Sequence, residues 1–418
     1  MRRGRIIFHI DVNSAYLSWE AAYRLQMGEP IDLREIPSAV GGNPETRHGI
    51  ILAKSLPAKK YKISTGETLH SAYEKCPHLT VVAPNYSLYI TCSNAMVSIL
   101  KEYTPKVQRF SVDECFLDFS HMDNLYEDEV ELAHIIKDRI KRELGFTVNI
   151  GISSNKLLAK MASDFKKPDR VHTLFPEEIT CKMWPLPVEE LYMVGRATAP
   201  KLHKLNIFTI GDLANYDREL IYIKLKSFGL MLWDYANGIE ESPVTESNHI
   251  AMKGMGASTT IAYDVESRRE AHMILLSLSE SLGMRLRDSE NCCRLVAVHI
   301  RGSDLLGGGH QRKLHTPTDS TEEIARIAQE LFDELWTGHP IRKLGVRVSE
   351  LCSNDLCQIS LFSKRDIEKQ QLLDKTIDEI RQRFGTYSLV RCSFLHSGIK
   401  PMTGGVGEED YPVMTSIL

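Results

Sequence analysis

The stretch FSVDECFLDF, residues 110 to 119, sets Asp113 and Glu114 side by side in an otherwise apolar and aromatic run. Successive side chains of a strand point to opposite faces, so one of the two acids should enter a hydrophobic layer. A buried, unpaired carboxylate is costly or becomes neutral through a raised pKa. A divalent cation resolves the conflict, because a hard ion such as Mg²⁺ takes oxygen ligands, usually one or two carboxylates plus substrate phosphates. Both acids reach one ion only if the strand bends, and the bend is expected at Val112–Glu114. Asp11, at the exit of the apolar run Ile6–Ile10, is the natural third ligand if the two strands are neighbours. A pair of ions in such a cluster stabilises the attacking and leaving oxygens of an in-line phosphoryl displacement. The plainer alternative is an edge strand with both acids in solvent.

The elements that must position these acids follow from periodicity and punctuation. Ile6–Ile10 reads as a buried strand, and residues 14–26 have helical spacing (Tyr16, Trp19, Ala22, Tyr23) stopped by Gly28 and Pro30. Residues 36–82 read as short strands with turns at Gly41–Gly42 and Gly66. Helix 85–103 precedes the acid-bearing strand, helix 128–144 ends at Gly145, and Phe146–Ile152 is a further strand. Residues 176–240 read as mainly helical, and the polar stretch GIEESPVTESNH follows. Beyond it, Arg294–Arg301 alternates as a strand, and Ser320 with Glu323 forms a capping box opening helix 321–336. An amphipathic helix is expected over about 367–384. Strands mixed with helices define an α+β multidomain class, without repeats.

The 418 residues are enough for several domains, and the balance of 43 % hydrophobic and 25 % charged residues is that of an ordinary globular chain. A net charge of −4 leaves nucleic-acid contact to local basic patches, of which residues 156–170 and 285–313 are candidates. Nine cysteines without a CxxC pair read as reduced thiols, not a disulfide framework or zinc site. No run of eighteen apolar residues occurs, and no signal-like apolar region precedes the first strand, so a cytoplasmic location is expected.

The wording around the acids is specific. IDVNSAYLSWE, SVDECFLDFS and, at 151–169, GISSNKLLAKMASDFKKPD resemble the palm motifs of the Y-family, lesion-bypass DNA polymerases, nearest the bacterial UmuC/DinB-like branch. HGIILAKSLPAKKYKISTG, 48–66, is similar to the fingers motif, and the resemblance runs in order from about residue 6 to 352. It implies a right-hand fold with a palm at 1–24 and 78–175, fingers at 25–77, a helical thumb at 176–240, a linker at 241–250, an α+β little finger at 251–352 and a tail at 353–418. It implies that Asp11, Asp113 and Glu114 are the catalytic, metal-binding acids, with the backbone carbonyl of Val12 as a further ligand to two Mg²⁺ ions. Tyr16 alone reads as a core-facing aromatic; the resemblance makes it a steric gate against a 2′-hydroxyl. Lys59 and Lys160 are implied to bind the triphosphate, although Leu56-Pro-Ala-Lys59 stands where the family often has Tyr-x-x-Arg.

MVGRATAPKLHKLNIFTIGDLA, 193–214, resembles the thumb's helix–hairpin–helix, with Gly195 and Arg196 at the turn facing phosphate. MGASTTIAYDV and HPIRKLGVRVSEL match the little finger, where Arg294, Arg301, Arg312 and Lys313 would contact DNA phosphates. QISLF, 358–362, is similar to the peptide that binds the bacterial sliding clamp, with Gln358, Leu361 and Phe362 as its anchors; Ile359 replaces a commoner leucine. The implied function is low-fidelity, template-directed translesion DNA synthesis on primer–template DNA and dNTP, by a monomer. The alternatives are a catalytically silent DNA- and clamp-binding scaffold, and a palm-like nucleotidyl cyclase.

Overall fold

The computed structural model describes residues 4–122, 126–245, 252–354 and 367–402. The described residues fall into two compact units, the first comprising 4–42 and 50–245.

The first unit opens with β1 (Ile7–Val12), every residue of which is buried, and α1 (Ala15–Gln26). β2 (Ser38–Gly41), β3 (Ile51–Lys54), α2 (Leu56–Lys60), α3 (Leu69–Lys75) and β4 (Thr80–Val82) follow. The strands of this stretch form a three-stranded sheet, β3-β2-β4. The two helices were not expected between the strands. They have five and seven residues, too short for a clear helical period, and are marked by their caps, Ser55 and Thr68. Next come α4 (Tyr86–Lys101), β5 (Val107–Arg109), β6 (Glu114–Asp118), α5 (Glu129–Leu144), β7 (Val148–Ser153), α6 (Lys156–Asp164) and β8 (Val171–Thr173). The central sheet has the order β5-β6-β1-β7-β8, which puts β1 between the acid-bearing strand and β7. Both its neighbours run antiparallel to it.

The run 110–119 is therefore not one strand. Residues 111–113 form a bend, both Phe110 N and Ser111 N donate to the Glu114 carbonyl, and β6 starts at Glu114. The predicted bend is present, one residue earlier than placed. α5 ends at Gly145 as expected, at φ 75°, and starts one residue later than expected because Asp128 is its cap, accepting from Val130 N and Glu131 N. The unit continues through α7 (Ala199–His203), α8 (Ile210–Ala214) and α9 (Arg218–Ala236), which share an apolar cluster with α6 through Leu157, Leu158 and Met161.

The second unit holds β9 (Gly254–Val265), α10 (Arg268–Asp288), β10 (Asn291–Gly302), β11 (Gly307–Thr318), α11 (Thr321–Leu335), β12 (Ile341–Ser353) and α12 (Ile367–Phe384). Its antiparallel sheet, β11-β10-β12-β9, packs one face on α10 and α11 through Val296, Val298, Val346 and Val348. Ser320 caps α11 by accepting from Glu323 N, while the Ser320 N–H donates to Thr318 Oγ1 and Arg326 donates to the Glu323 carboxylate. α12 matches its predicted range and is tied to α10 by charge. Arg287 pairs with Asp378, and Arg381 and Arg391 both bind the buried Glu280.

One glycine decides how α6 sits on the central sheet. A Cβ on Gly151 of β7 would collide with the Ala159 carbonyl and lie 2.5 Å from Ser163 N. Gly151→Ala should lower stability by about 1–3 kcal/mol or more through overpacking. Chemical denaturation monitored by circular dichroism checks this; an unchanged midpoint would mean that α6 does not lie against β7.

Candidate active site

The strand register brings two of the three predicted acids together. Asp11 of β1 lies directly opposite Glu114 of β6, so their side chains share one face. Asp113, the last residue of the bend, is tied in by the bond from Val12 N to its carbonyl. Its carboxylate accepts from Ser111 Oγ at 2.5 Å. The face shared by Asp11 and Glu114 is covered by α6 and the turn after it. From there Lys160 Nζ pairs with Glu114, and Lys167 Nζ pairs with Asp11 and, at 2.7 Å, with Asp164.

Burial dominates the electrostatics. It pushes the Asp11 carboxyl up to about 6; Lys167 opposes the shift, and the Glu114 charge adds to it. Burial likewise raises Asp113, offset by the Ser111 hydroxyl and increased by Asp11. His9, buried on the same face, is held well below its usual pKa by desolvation and then by Lys160 and Lys167. Its ring accordingly adds no positive charge, and its Nε2 has no hydrogen-bond partner. Burial opposes the Lys167 ammonium too, yet Asp11 and Asp164 hold its pKa above the ordinary value.

Among the described residues no three His, Cys, Asp or Glu side chains converge as a finished metal-ligand set. The donor chemistry nevertheless fits a divalent cation. The donors are all oxygens, two are carboxyls with raised pKa, one buried and one partly buried, and Glu114 and Asp11 raise their neighbours' values, a repulsion that a hard cation relieves. Asp11 and Asp113, with the Val12 carbonyl and Glu114, are the residues that would hold it.

Asp11, Val12 and Asp113 line a cleft of ≈ 930 Å³ whose walls include Tyr16, Leu56, Lys54, Lys59, Lys141 and Lys167. Tyr16 is not simply a core aromatic. It is partly buried, lines the cleft, and is propped from behind by Tyr89, stacked at 4.4 Å and 11°, and by Tyr86 edge-on at 6.2 Å. Tyr89 is itself fixed by donating to Glu20 at 3.0 Å. Lys59 lies in the cleft wall. Lys160 does not: its ammonium serves Glu114 and sits over the Phe110 and Tyr192 rings, at 5.1 and 5.7 Å. The cleft cation from this motif is Lys167, which the sequence reading counted only within a basic patch. The Lys-Lys-Pro turn that ends the motif was the available signal.

The remaining predicted positions divide. Gly195 and Arg196 are exposed at the turn before α7, where the Gly195 carbonyl accepts from Thr198 N and Ala199 N. In the second unit, Arg301 lies opposite Lys343, His299 opposite Gly345 and Ala297 opposite Arg347, all on the sheet face away from the helices. This face forms a shallow basic concavity floored by Gly256, Gly307, Gly309 and Gly345. Lys343 and Arg347 were missed, although the alternation in IRKLGVRV marks them. Arg294 is exposed at a register shift between Cys293 and Leu295. Arg312 is a correction: it lies on the helix side, bound to Glu330 at 2.6 Å and to Glu334 of α11. Lys313 pairs with Glu350 at 2.7 Å. Gln358, Leu361 and Phe362 lie outside the described residues.

An acid-bearing antiparallel strand pair at the head of a cationic cleft, short thumb-like helices and a separate sheet with one basic face define a right-hand polymerase architecture. A Y-family DNA polymerase chimera of known structure superposes with a TM-score of 0.71 at 22 % identity, over 84 % of this chain and all of that one. Residues 10–164 match the impB/mucB/samB family, 176–207 the IMS family HHH motif, and 252–361 the impB/mucB/samB family C-terminal domain. The DNA polymerase IV of Clostridium acetobutylicum is 47 % identical across 94 % of this chain and 98 % of its own length. Those of Acetivibrio thermocellus and Bacillus subtilis (DNA polymerase IV 2) are 43 and 37 % identical, over 93 and 94 % of this chain and 96 % of each relative. The chain belongs to this family, the DinB-like branch of the Y-family DNA polymerases.

The buried acid makes metal-free stability pH-dependent. With its folded pKa near 6 against an ordinary 3.8, Asp11 binds its proton more tightly in the folded state, so its stabilisation is present below about pH 4 and lost as pH rises through 6. Metal-free Asp11→Asn should therefore match wild type near pH 4 and exceed it by on the order of 2 kcal/mol at pH 8. Thermal melts across this range decide; a variant less stable than wild type at pH 8 would show that the Lys167 pair outweighs burial.

Proposed function

We propose that the cleft headed by Asp11 and Asp113 is where this chain, a DNA-directed DNA polymerase of the translesion class, joins a dNTP to a primer end. The observation that carries the reading is the register of Asp11 against Glu114, with Asp113 in the adjoining bend and both aspartates lining a cleft that also holds Lys54, Lys59, Lys141 and Lys167. The primer 3′-oxygen attacks the α-phosphorus and pyrophosphate leaves, so the protein's work is positioning and charge compensation. Lys59 and Lys167 face the triphosphate and neutralise its charge. Tyr16, held by Tyr89, lies beneath the sugar and excludes a 2′-hydroxyl. Asp11, Asp113, Glu114 and the Val12 carbonyl are assigned to a divalent metal, Mg²⁺ as a pair of ions, which when bound supplies Lewis-acid charge to the phosphoryl group. Lys160 is assigned to Glu114, as a positioning residue.

Residues 1–24 and 78–175 are taken as palm, 25–77 as fingers, 176–240 as thumb and 251–352 as little finger. The open face bearing Arg301, Lys343 and Arg347 is assigned to the DNA backbone. Binding to the bacterial sliding clamp through Gln358–Phe362 rests on the peptide's sequence, and a monomeric, cytoplasmic protein is the accompanying reading. Among the described residues, no helix is long and apolar enough to cross a membrane. The silent scaffold is not favoured, because three carboxylates kept in and around a buried layer are a cost that DNA binding alone does not require.

Primer extension on undamaged and abasic-site templates tests the assignment. Wild type should extend with Mg²⁺, while Asp113→Ala, folded and still binding primer–template, should lose on the order of 10²–10³ in rate or more. Equal extension by both would move the active site elsewhere.

The two sheet faces separate in a second experiment. Arg301→Ala with Lys343→Ala should weaken duplex binding for all sequences and reduce the salt slope by about 2. Arg312→Ala should leave the slope as in wild type, since its guanidinium is spent on Glu330 and Glu334. The reverse pattern would place the DNA on the helix side.

A further inference from the structure

Eight cysteines are described, all as thiols. Two of them face each other across strands: Cys292 of β10 and Cys352 of β12 are direct Cα partners in an antiparallel ladder. Their neighbours Cys293 and Leu351, also paired, point into the apolar core, so Cys292 and Cys352 share the opposite face. Directly opposed antiparallel residues have Cα atoms about 4.5–5.5 Å apart. A disulfide spans about 4.4–6.8 Å between Cα atoms, so the backbone already has the spacing the bond needs.

We propose that Cys292 and Cys352 form a redox site, closed to a cross-strand disulfide by a two-electron oxidant of the peroxide class. Cys352, partly exposed, is the first sulfur reached, whereas Cys292 is 8 % exposed and Cys293 fully buried. The Cys352 thiolate attacks a peroxide oxygen, the O–O bond breaks, and a sulfenic acid forms with loss of water. The Cys292 thiolate then attacks that sulfur and expels a second water. Two thiols and one hydrogen peroxide thus give one disulfide and two waters. Burial pushes the Cys293 thiol up to about 12, which leaves it a spectator in the core. The bond would staple the start of β10 to the end of β12, at the far end of β10 from the Arg301–Lys343 rung.

Full-length protein is treated with hydrogen peroxide at neutral pH, alkylated, digested without reduction and mapped by mass spectrometry. The expected main cross-link is Cys292–Cys352, in at least tenfold greater yield than from protein unfolded in urea, and reversed by dithiothreitol. Cys352→Ser and Cys292→Ser should each abolish it, and Cys293→Ala should retain it. A yield no greater than in urea would overturn the proposal. So would a dominant link from Cys352 to Cys357, or one between chains.

Discussion

The charge of three carboxylates in and around a buried layer is the constraint on which the site rests. Asp11 is 7 % exposed, on the middle strand of a sheet covered on both faces, and isolated ionised groups do not persist in such a place. The fold answers with two ammonium groups from one direction. α6 delivers Lys160 to Glu114, and the turn beyond it delivers Lys167 to Asp11. That delivery depends on how closely α6 lies on β7, which depends in turn on Gly151, Ala159 and Ala162 being small. The lysines of the motif and its small residues therefore belong to one device: the small ones set the distance, and the long ones use it.

The two lysines differ in what they leave available. Lys160 is enclosed over aromatic rings and belongs to the floor of the site. Lys167 stands at the cleft wall, 37 % exposed, with an acid on either hand. Its compact ammonium on a flexible stem carries three rotatable donors, unlike a guanidinium locked in a bidentate geometry. Lys54, Lys59 and Lys141 line the same cleft as Lys167, Lys141 also pairing with Asp169, and Leu56 stands among them.

The second unit uses charge in two other ways. On its helix side, acidic residues of α11 engage Arg312, and Glu280 is buried between Arg381 and Arg391 so that α12 docks by ion pairs. Such pairs contribute little net stability but penalise misplacement heavily, because a lone buried charge is worse than none. On its open side the glycines keep the floor low, and Arg301, Lys343 and Arg347 stand above it. Arg312 and Lys313 are adjacent in sequence and point to opposite faces, which is why a run of basic residues along a strand overstates its basic face.

Local information in the chain was enough for much of this. The apolar run before Asp11, the acid pair in an aromatic setting, the helix that ends at Gly145 and the amphipathic helix 367–384 all follow from short-range periodicity and turn chemistry, whose causes lie within a few residues. The order of the motifs was likewise enough to identify the family. What only the tertiary structure decided was partnership: that Asp11 lies opposite Glu114, that Lys167 and not Lys160 faces the cleft, that Tyr16 rests on Tyr89, that Arg312 turns toward the helices and that α12 docks on α10. Each of these depends on strand register or helix seating between residues far apart in the chain. A shift of one residue would reverse the face of every side chain on a strand, and no local pattern encodes it.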